Sequence, residues 1–190
     1  MKKIAFVFLV LLSGAVTRAQ DFQKRNITVL PSSELTIIGD SNIAAFQCEF
    51  DNSYLDDSQS ISYSQNGNKI NFSGAVLILN NKGFDCGSKG INRDFHDLLR
   101  SDDHPRILLD LKEVILSSST TGTARVGITI AGKERFYEVP VTIKSGVIAE
   151  FRGNLRLNIK DYGLEAPKKL FGMIVVKDEI DIQFNLQVKK

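Results

Sequence analysis

The sequence alternates between apolar and polar residues over two long segments, 147–159 and 179–188. In an extended strand this alternation sorts the apolar side chains onto one face and the polar side chains onto the other. A helix would instead scatter them around its circumference. Shorter segments with the same period lie at 44–50, 70–78, 107–112, 124–130 and 137–144. The pattern predicts a chain made mostly of antiparallel strands that each bury one face.

One segment departs from this period. Ile91, Phe95 and Leu98 recur at helical spacing, and Pro105 follows shortly beyond them. Asn92 is a suitable residue to cap the start of a helix. The segment therefore predicts one short α-helix of about eight residues.

Strands that bury only one face must also avoid exposed edges, and a closed barrel or a two-sheet sandwich meets both conditions. The strands are long, and the chain has no tryptophan and so lacks the Cys…Trp…Cys pattern of immunoglobulin-like sandwiches. These observations favour an all-β fold, an antiparallel β-barrel with one short α-helix.

The first 19 residues have the features of a secretory signal peptide. A positive start, Met1-Lys2-Lys3, precedes the apolar run 4–12, and small residues lead up to Ala19. The run is too short to span a bilayer, which needs about 20 apolar residues. We expect cleavage after Ala19, one mature domain at 20–190, and a periplasmic or secreted protein that does not span the membrane. An ordinary buried N-terminal segment is the alternative.

Charge and cysteine content limit the function further. Without Lys2, Lys3 and Arg18 the mature chain is close to neutral, which argues against a nucleic-acid partner. Two cysteines are too few for a four-cysteine zinc site. In an exported protein, Cys48 and Cys86 are expected to form a disulfide, with two buried thiols or a redox pair as the alternatives.

The residues expected to point into the barrel include several small ones beside large apolar neighbours. They are Ala44, Gly74, Ala124, Ala149 and Gly153. Small side chains leave volume, and an apolar cavity of this kind suits a lipid tail. Two other interpretations stay open. Small and large residues alternate in a tapering filled barrel, and inward glycines also permit strong strand curvature.

Four segments in order resemble the YceI-like family, secreted lipocalin-like barrels implicated in polyisoprenoid binding. They are residues 33–46, residues 89–99 with 104–107, residues 157–164 and residues 178–182. The resemblance covers about Ser33 to Val188 and implies an extended barrel around a long apolar pocket. The chain departs from the family pattern at Ile91, His104 and Tyr162, where Met, Tyr and Phe are expected.

Together these features predict a lipocalin-like barrel, monomeric or homodimeric, that binds a long apolar ligand such as a polyisoprenoid or quinone-like lipid. The expected pocket wall consists of Phe46, Phe50, Phe72, Val76, Val126, Ile128, Phe151, Leu155, Ile182 and Phe184. Lys89 and Arg93, at the start of the predicted helix, are candidates to bind a charged head group, since helix N-termini attract anions. Two solvated charges are the simpler interpretation of this pair.

No enzyme motif stands out. The two histidines, His96 and His104, have no ligand or base at a suitable spacing, so we expect no catalytic residue, metal or cofactor. Two alternative functions remain. A filled barrel could act as a structural or protein-binding module in the cell envelope, with Ala75, Leu77 and Leu79 as an outer apolar face, and a secreted hydrolase is the third hypothesis.

Overall fold

The computed structural model describes residues 21–55, 58–169 and 174–189. The predicted signal peptide, residues 1–19, lies outside the described residues. The described strands are β1 (Gln23–Val29), β2 (Glu34–Gly39), β3 (Phe46–Phe50), β4 (Gln59–Asn66), β5 (Lys69–Ser73), β6 (Val76–Asn80), β7 (Phe84–Asp85), β8 (Arg106–Leu116), β9 (Thr121–Ile130), β10 (Lys133–Lys144), β11 (Ile148–Asn158), β12 (Lys168–Lys169), β13 (Ile174–Val175) and β14 (Glu179–Lys189). One α-helix, α1 (Lys89–Leu98), lies between β7 and β8.

The sheet closes on itself, as the alternation predicts. Its strands follow the order β1-β4-β5-β8-β9-β10-β11-β14, and β14 pairs back with β1 at Thr28↔Lys189 and Val29↔Val188. All neighbours in this ring are antiparallel. A closed ring leaves few unpaired strand edges, so the barrel interpretation is confirmed over the sandwich.

One edge of β14 serves two partners. Its last residues pair with β1, whereas residues 181–185 pair with β2. Strands β3 and β7 continue from β2, and β6 pairs with the first half of β8. The wall is therefore built by β1, β4 and β5 near one end and by β2, β3, β7 and β6 near the other.

The buried side chains form two clusters inside the ring. We call the end of the barrel where α1 and the 3₁₀ turn Ile159–Tyr162 lie the lower end. The cluster at this end is the lower cluster, and its members include Ile37, Cys48, Phe50, Phe84, Ile128, Leu157, Tyr162 and Leu164. The upper cluster consists of Val114, Ala124, Val139 and Val141. Helix α1 contributes Ile91, Phe95 and Leu98 to the lower cluster, so side chains fill that end of the barrel.

Two irregularities change which residues face inward. Strand β8 shifts register between Leu111 and Glu113, so that Leu111 and Val114 both pack on the upper cluster. Between β5 and β6, Gly74 adopts a left-handed conformation with φ 72°, and the alternation restarts after it.

As a result Leu77 and Leu79 belong to the lower cluster, whereas Val76 lies on the opposite face of β6. The predicted inward position of Val76 is therefore wrong. The predicted outer apolar face of Leu77 and Leu79 is wrong for the same reason, and Gly74 itself is exposed in the bend.

Helix α1 begins three residues before the predicted cap. Ser88 caps it by accepting a hydrogen bond from the backbone N–H of Ile91. Asn92 lies within the helix, where its side chain accepts from the backbone N–H of Cys86 (2.6 Å) and donates to Asp85 (3.1 Å). The existence of the helix is confirmed, but Asn92 fastens it to the preceding strand rather than capping it.

Two glycines that face the interior are covered by aromatic rings. A Cβ on Gly153 would lie 2.7 Å from the Phe184 ring and 2.8 Å from the Pro140 carbonyl oxygen. A Cβ on Gly39 would lie 2.3 Å from the Phe46 ring. The volume beside Gly153 is thus occupied by Phe184, its partner across the β11–β14 ladder. At this position the small residue serves packing and leaves no void.

Gly153→Ala is expected to lower the free energy of unfolding by about 1–3 kcal/mol, because the added methyl has no room beside Phe184 and a backbone carbonyl. Urea denaturation measures this change. Gly90→Ala is the matched control, since a Cβ there meets nothing within 4 Å, and it should be neutral or stabilise α1 by about 0.5–1 kcal/mol. Equal stability of the two variants would contradict the close packing at Gly153.

Candidate functional site

Midway along the barrel, apolar side chains point inward and yet remain accessible. They belong to strands from all sides of the ring: Leu35, Leu77, Leu109, Val126, Leu155, Ile180 and Ile182. Each packs partly against the lower cluster, whereas Leu79, Ile107, Ile128 and Leu157 in the same ladders are buried. Because these side chains face away from the outer surface, we infer that the area that they expose borders space inside the ring. We call this space the lumen and these seven side chains the lumen wall.

Most of the predicted pocket residues face the interior. Phe46, Val126, Leu155 and Ile182 lie against the lower cluster, and Phe72 and Phe184 lie against the upper cluster. Phe151 stands opposite Ile143 and Leu186 on the inward side of its ladders but lies outside both clusters. Phe50 and Ile128 are 6% and 4% exposed, so they contribute to packing rather than to accessible wall. Phe50 packs edge-on against Phe84, with 4.9 Å between ring centroids.

The sequence interpretation missed four wall residues and one polar neighbour. Leu35, Leu109 and Ile180 were not predicted to line the pocket, Leu77 was predicted on an outer face, and Tyr137 was not predicted near the site. A break in alternation at Gly74 was the signal that could have found Leu77, because glycine is the residue that adopts a positive φ at no cost. Leu109 and Ile180 alternate as expected, and nothing in the sequence distinguishes their accessibility from that of buried neighbours.

The lower end of the barrel is held by a disulfide. Cys48 on β3 and Cys86, just after β7, are bonded to each other and are 0% and 4% exposed. The bond lies beside the Glu49↔Asp85 pair, and it confirms the predicted disulfide. Because the Cys86 backbone also donates to Asn92, the disulfide connects β3 to the start of α1.

Two tyrosines lie deep in the barrel. Tyr162, in the 3₁₀ turn, is 1% exposed, and Tyr137 on β10 packs on both clusters. Burial, together with the nearby Tyr137 hydroxyl, raises the pKa of Tyr162 well above its usual value. Although the two hydroxyls are close, neither has a hydrogen-bond partner of acceptable geometry. Both are hydroxyl groups in mainly apolar surroundings.

The charged pairs of β11 and β14 lie on the outer face. Arg156, which alternates with the wall residue Leu155, forms a two-pronged pair with Asp181 at 2.8 and 3.0 Å, and this pair lowers the pKa of the Asp181 carboxyl. Arg152 pairs with Glu150 in the same row. Where burial is described, no Lys, Arg, Asp or Glu side chain is buried. The interior is thus apolar apart from a few uncharged polar groups.

The candidate head-group residues lie apart from the lumen wall. Lys89 and Arg93 are exposed on α1, whose opposite face packs on the lower cluster. His96 lines a small polar pocket of about 280 Å³ with Asn81 and Arg100, outside the wall. Across the described residues, no group of three or more His, Cys, Asp or Glu side chains is placed to hold a metal ion.

A second concavity, about 670 Å³, opens on the outside of β9, β10, β11 and β14. Its side chains are mainly the outward, polar ones, among them Thr123, Thr142, Arg152, Asn154 and Gln183. The inward side chains Val141 and Phe184, which lie in or against the upper cluster, also line it, whereas the seven lumen-wall side chains do not. Within the part of the chain that the structure describes, no helix has the length and apolarity to cross a membrane.

A closed antiparallel ring, filled at one end and lined by accessible apolar side chains, defines the class of lipocalin-like barrels. The sequence model of the YceI-like domain matches residues 34–188, and the chain therefore belongs to the YceI-like family. A comparison with curated proteins finds no match.

Solved structures share the fold. BcnA of Burkholderia cenocepacia superposes with a TM-score of 0.65 at 18% identity, over 83% of this chain and 96% of that one. A polyisoprenoid binding domain from Saccharophagus degradans, implicated in plant cell wall breakdown, gives 0.60 at 11% identity, over 86% and 97%. The YceI protein of Campylobacter jejuni gives 0.54 at 10% identity, over 100% and 91%. At these identities the likeness concerns the fold.

Proposed function

We propose that this protein binds the tail of a long apolar lipid, a polyisoprenoid or a quinone-like lipid, inside the barrel. The observation that carries the proposal is the lumen wall, in which inward apolar side chains remain accessible in the middle of a closed ring. When an unbranched or prenyl tail covers this surface, the apolar areas of the wall and of the tail are both removed from water.

The energy of such binding comes from burial. Apolar area contributes about 25 cal/mol per Å² removed from water, so a long tail gains affinity without polar contacts. Ion pairs such as Arg156–Asp181 lie on the outer face of the barrel and take no part in this contact. The polyisoprenoid-binding description of a structural neighbour supports the same class of ligand.

The proposed role is non-catalytic. The lumen wall contains no nucleophile, acid or base, and burial raises the pKa of Tyr162 below it, which keeps that hydroxyl uncharged. Such a surface holds a ligand and excludes water from it, which suits transport, storage or sensing of a lipid.

The test is mass spectrometry of the protein as a cell makes it. The full chain is expressed in a bacterium, purified without detergent, and weighed under native and denaturing conditions. We expect the native mass to exceed the denatured mass by the mass of one lipid, which is then found in the organic extract. A native mass without lipid, together with no binding of added geranylgeraniol, would overturn the proposal and favour the filled barrel.

We further propose export to the periplasm or beyond, with cleavage after Ala19. The denatured mass of protein recovered outside the cytoplasm should then correspond to a chain that begins at Gln20. A mass that retains residues 1–19 in that fraction, or protein confined to the cytoplasm, would contradict this part of the proposal.

A further inference from the structure

Two tyrosine hydroxyls at the base of the lumen have no hydrogen-bond partner. Tyr137 faces inward, since its partner across the β9–β10 ladder is the wall residue Val126. It stands between the lower and upper clusters, and part of its surface remains accessible. Tyr162 lies beside it in the lower cluster, and both hydroxyl oxygens are buried and unpartnered.

A buried pair of hydroxyls without hydrogen-bond partners destabilises the folded protein unless another group bonds to it. Buried polar groups are almost always hydrogen-bonded, and those that are not need an explanation. If one hydroxyl donates to the other, the pair still presents one free O–H donor. That donor suits an acceptor oxygen at the end of a molecule whose remainder is apolar.

The charges of the residues around the two hydroxyls determine whether that acceptor oxygen can be ionised. Two cationic residues on the inward side of β10 approach the turn that carries Tyr162: the charge of Arg135 acts on the pKa of the Tyr162 hydroxyl, and Lys133 lies against Gly163. Both side chains are exposed, so neither is a buried counter-ion. Among the residues whose burial is described, none that is buried carries a charge. A phosphate beside the two tyrosines would lose its water without gaining a buried counter-ion, which is strongly unfavourable. An uncharged oxygen has no such penalty.

We propose that Tyr137 and Tyr162 bind the uncharged oxygen at the end of the lipid, so that the protein selects prenyl alcohols or prenyl quinones over prenyl phosphates. This inference rests on the proposed function, because it requires that the tail occupy the lumen. It assigns the two hydroxyls as the groups that determine specificity, whereas the lumen wall supplies most of the affinity.

The experiment compares three ligands that share one prenyl tail. They are geranylgeraniol, geranylgeranyl pyrophosphate and the hydrocarbon that lacks the oxygen. Each is titrated into the lipid-free full-length protein and into Tyr137→Phe and Tyr162→Phe, which remove only the hydroxyl. Tyr54→Phe is the matched control, because Tyr54 is 48% exposed and outside the lumen wall. Thermal melting without ligand checks that each variant is folded.

We expect the unmodified protein and Tyr54→Phe to bind geranylgeraniol about tenfold more tightly than the hydrocarbon, the value of one buried hydrogen bond. Tyr137→Phe and Tyr162→Phe should bind the hydrocarbon as before and lose this preference. Without ligand, Tyr162→Phe should melt no lower than the unmodified protein, since the hydroxyl it removes has no partner.

Three results would overturn the inference. Tighter binding of the pyrophosphate would show an anionic site instead. A preference for the alcohol that survives in both Phe variants would place its oxygen elsewhere, and equal binding of all three ligands would mean that the hydroxyls bond to internal water. Each of these leaves tail binding intact, whereas failure of all three ligands to bind would overturn the proposed function itself.

Discussion

Leu155→Trp is expected to weaken the binding of a prenyl lipid by about 10- to 100-fold. Leu155 lies midway along β11, opposite Ile182, and contacts both the lower and the upper cluster. A tryptophan at this position occupies space that the tail would fill. Each methylene excluded from the lumen loses about 0.8 kcal/mol, and two or three of them account for the expected loss.

Asn154→Trp is the matched control for this prediction. Asn154 is the preceding residue of the same strand, but it is exposed on the outer face. The same side chain added there should leave affinity for geranylgeraniol unchanged. Calorimetric titration of both variants gives the comparison, with thermal melting to show that each is folded. If folded Leu155→Trp bound as tightly as Asn154→Trp, the lumen would not be the binding site.

Removal of the disulfide by the double substitution Cys48→Ala and Cys86→Ala is expected to lower the free energy of unfolding by about 4 kcal/mol. The bond joins residues 38 apart in the sequence, and its loss restores that loop's freedom to the unfolded chain. Since the bond also connects β3 to the segment that fastens α1, the lower end of the barrel loses its covalent link.

Urea denaturation with and without a reducing agent measures this effect. The unmodified protein should lose stability when reduced, whereas the double variant should be indifferent to the reducing agent. That indifference is the internal control, because it separates the disulfide from general effects of the reagent. The denatured mass shows whether the cysteines of the unmodified protein are oxidised. If they are oxidised and a reducing agent still leaves the stability unchanged, the expected contribution of the disulfide is contradicted.

The inward and outward faces were predicted best for strands whose ladders run without interruption. Strands β11 and β14 share an unbroken ladder from Ile148↔Lys189 to Asn158↔Glu179, so period-two alternation survives along their full length. It failed where the backbone departs from regular extension. The left-handed Gly74 reversed the faces of β6 and put Leu77 inside in place of Val76.

The interior volume could be predicted only in part. Alternation identifies which side chains face inward, but whether a void remains depends on what packs from across the ladder. Gly153 illustrates the difficulty, because its missing side chain is replaced by the Phe184 ring. Ala44 was expected inside and is exposed before the start of β3. The tyrosine pair could not be predicted, because Tyr137 and Tyr162 are distant in sequence and meet only in the folded chain.

The separation of outward charges from an uncharged interior has a consequence for the medium in which such a protein can work. Dissolved salt screens charges at the surface, where Arg152, Arg156 and their partners lie, and it weakens those pairs. Contact between an apolar tail and the lumen wall involves no ionised group, so neither ionic strength nor the protonation of surface carboxylates alters it directly. The proposed lipid binding is therefore expected not to depend directly on the salt concentration or the acidity of the surrounding medium.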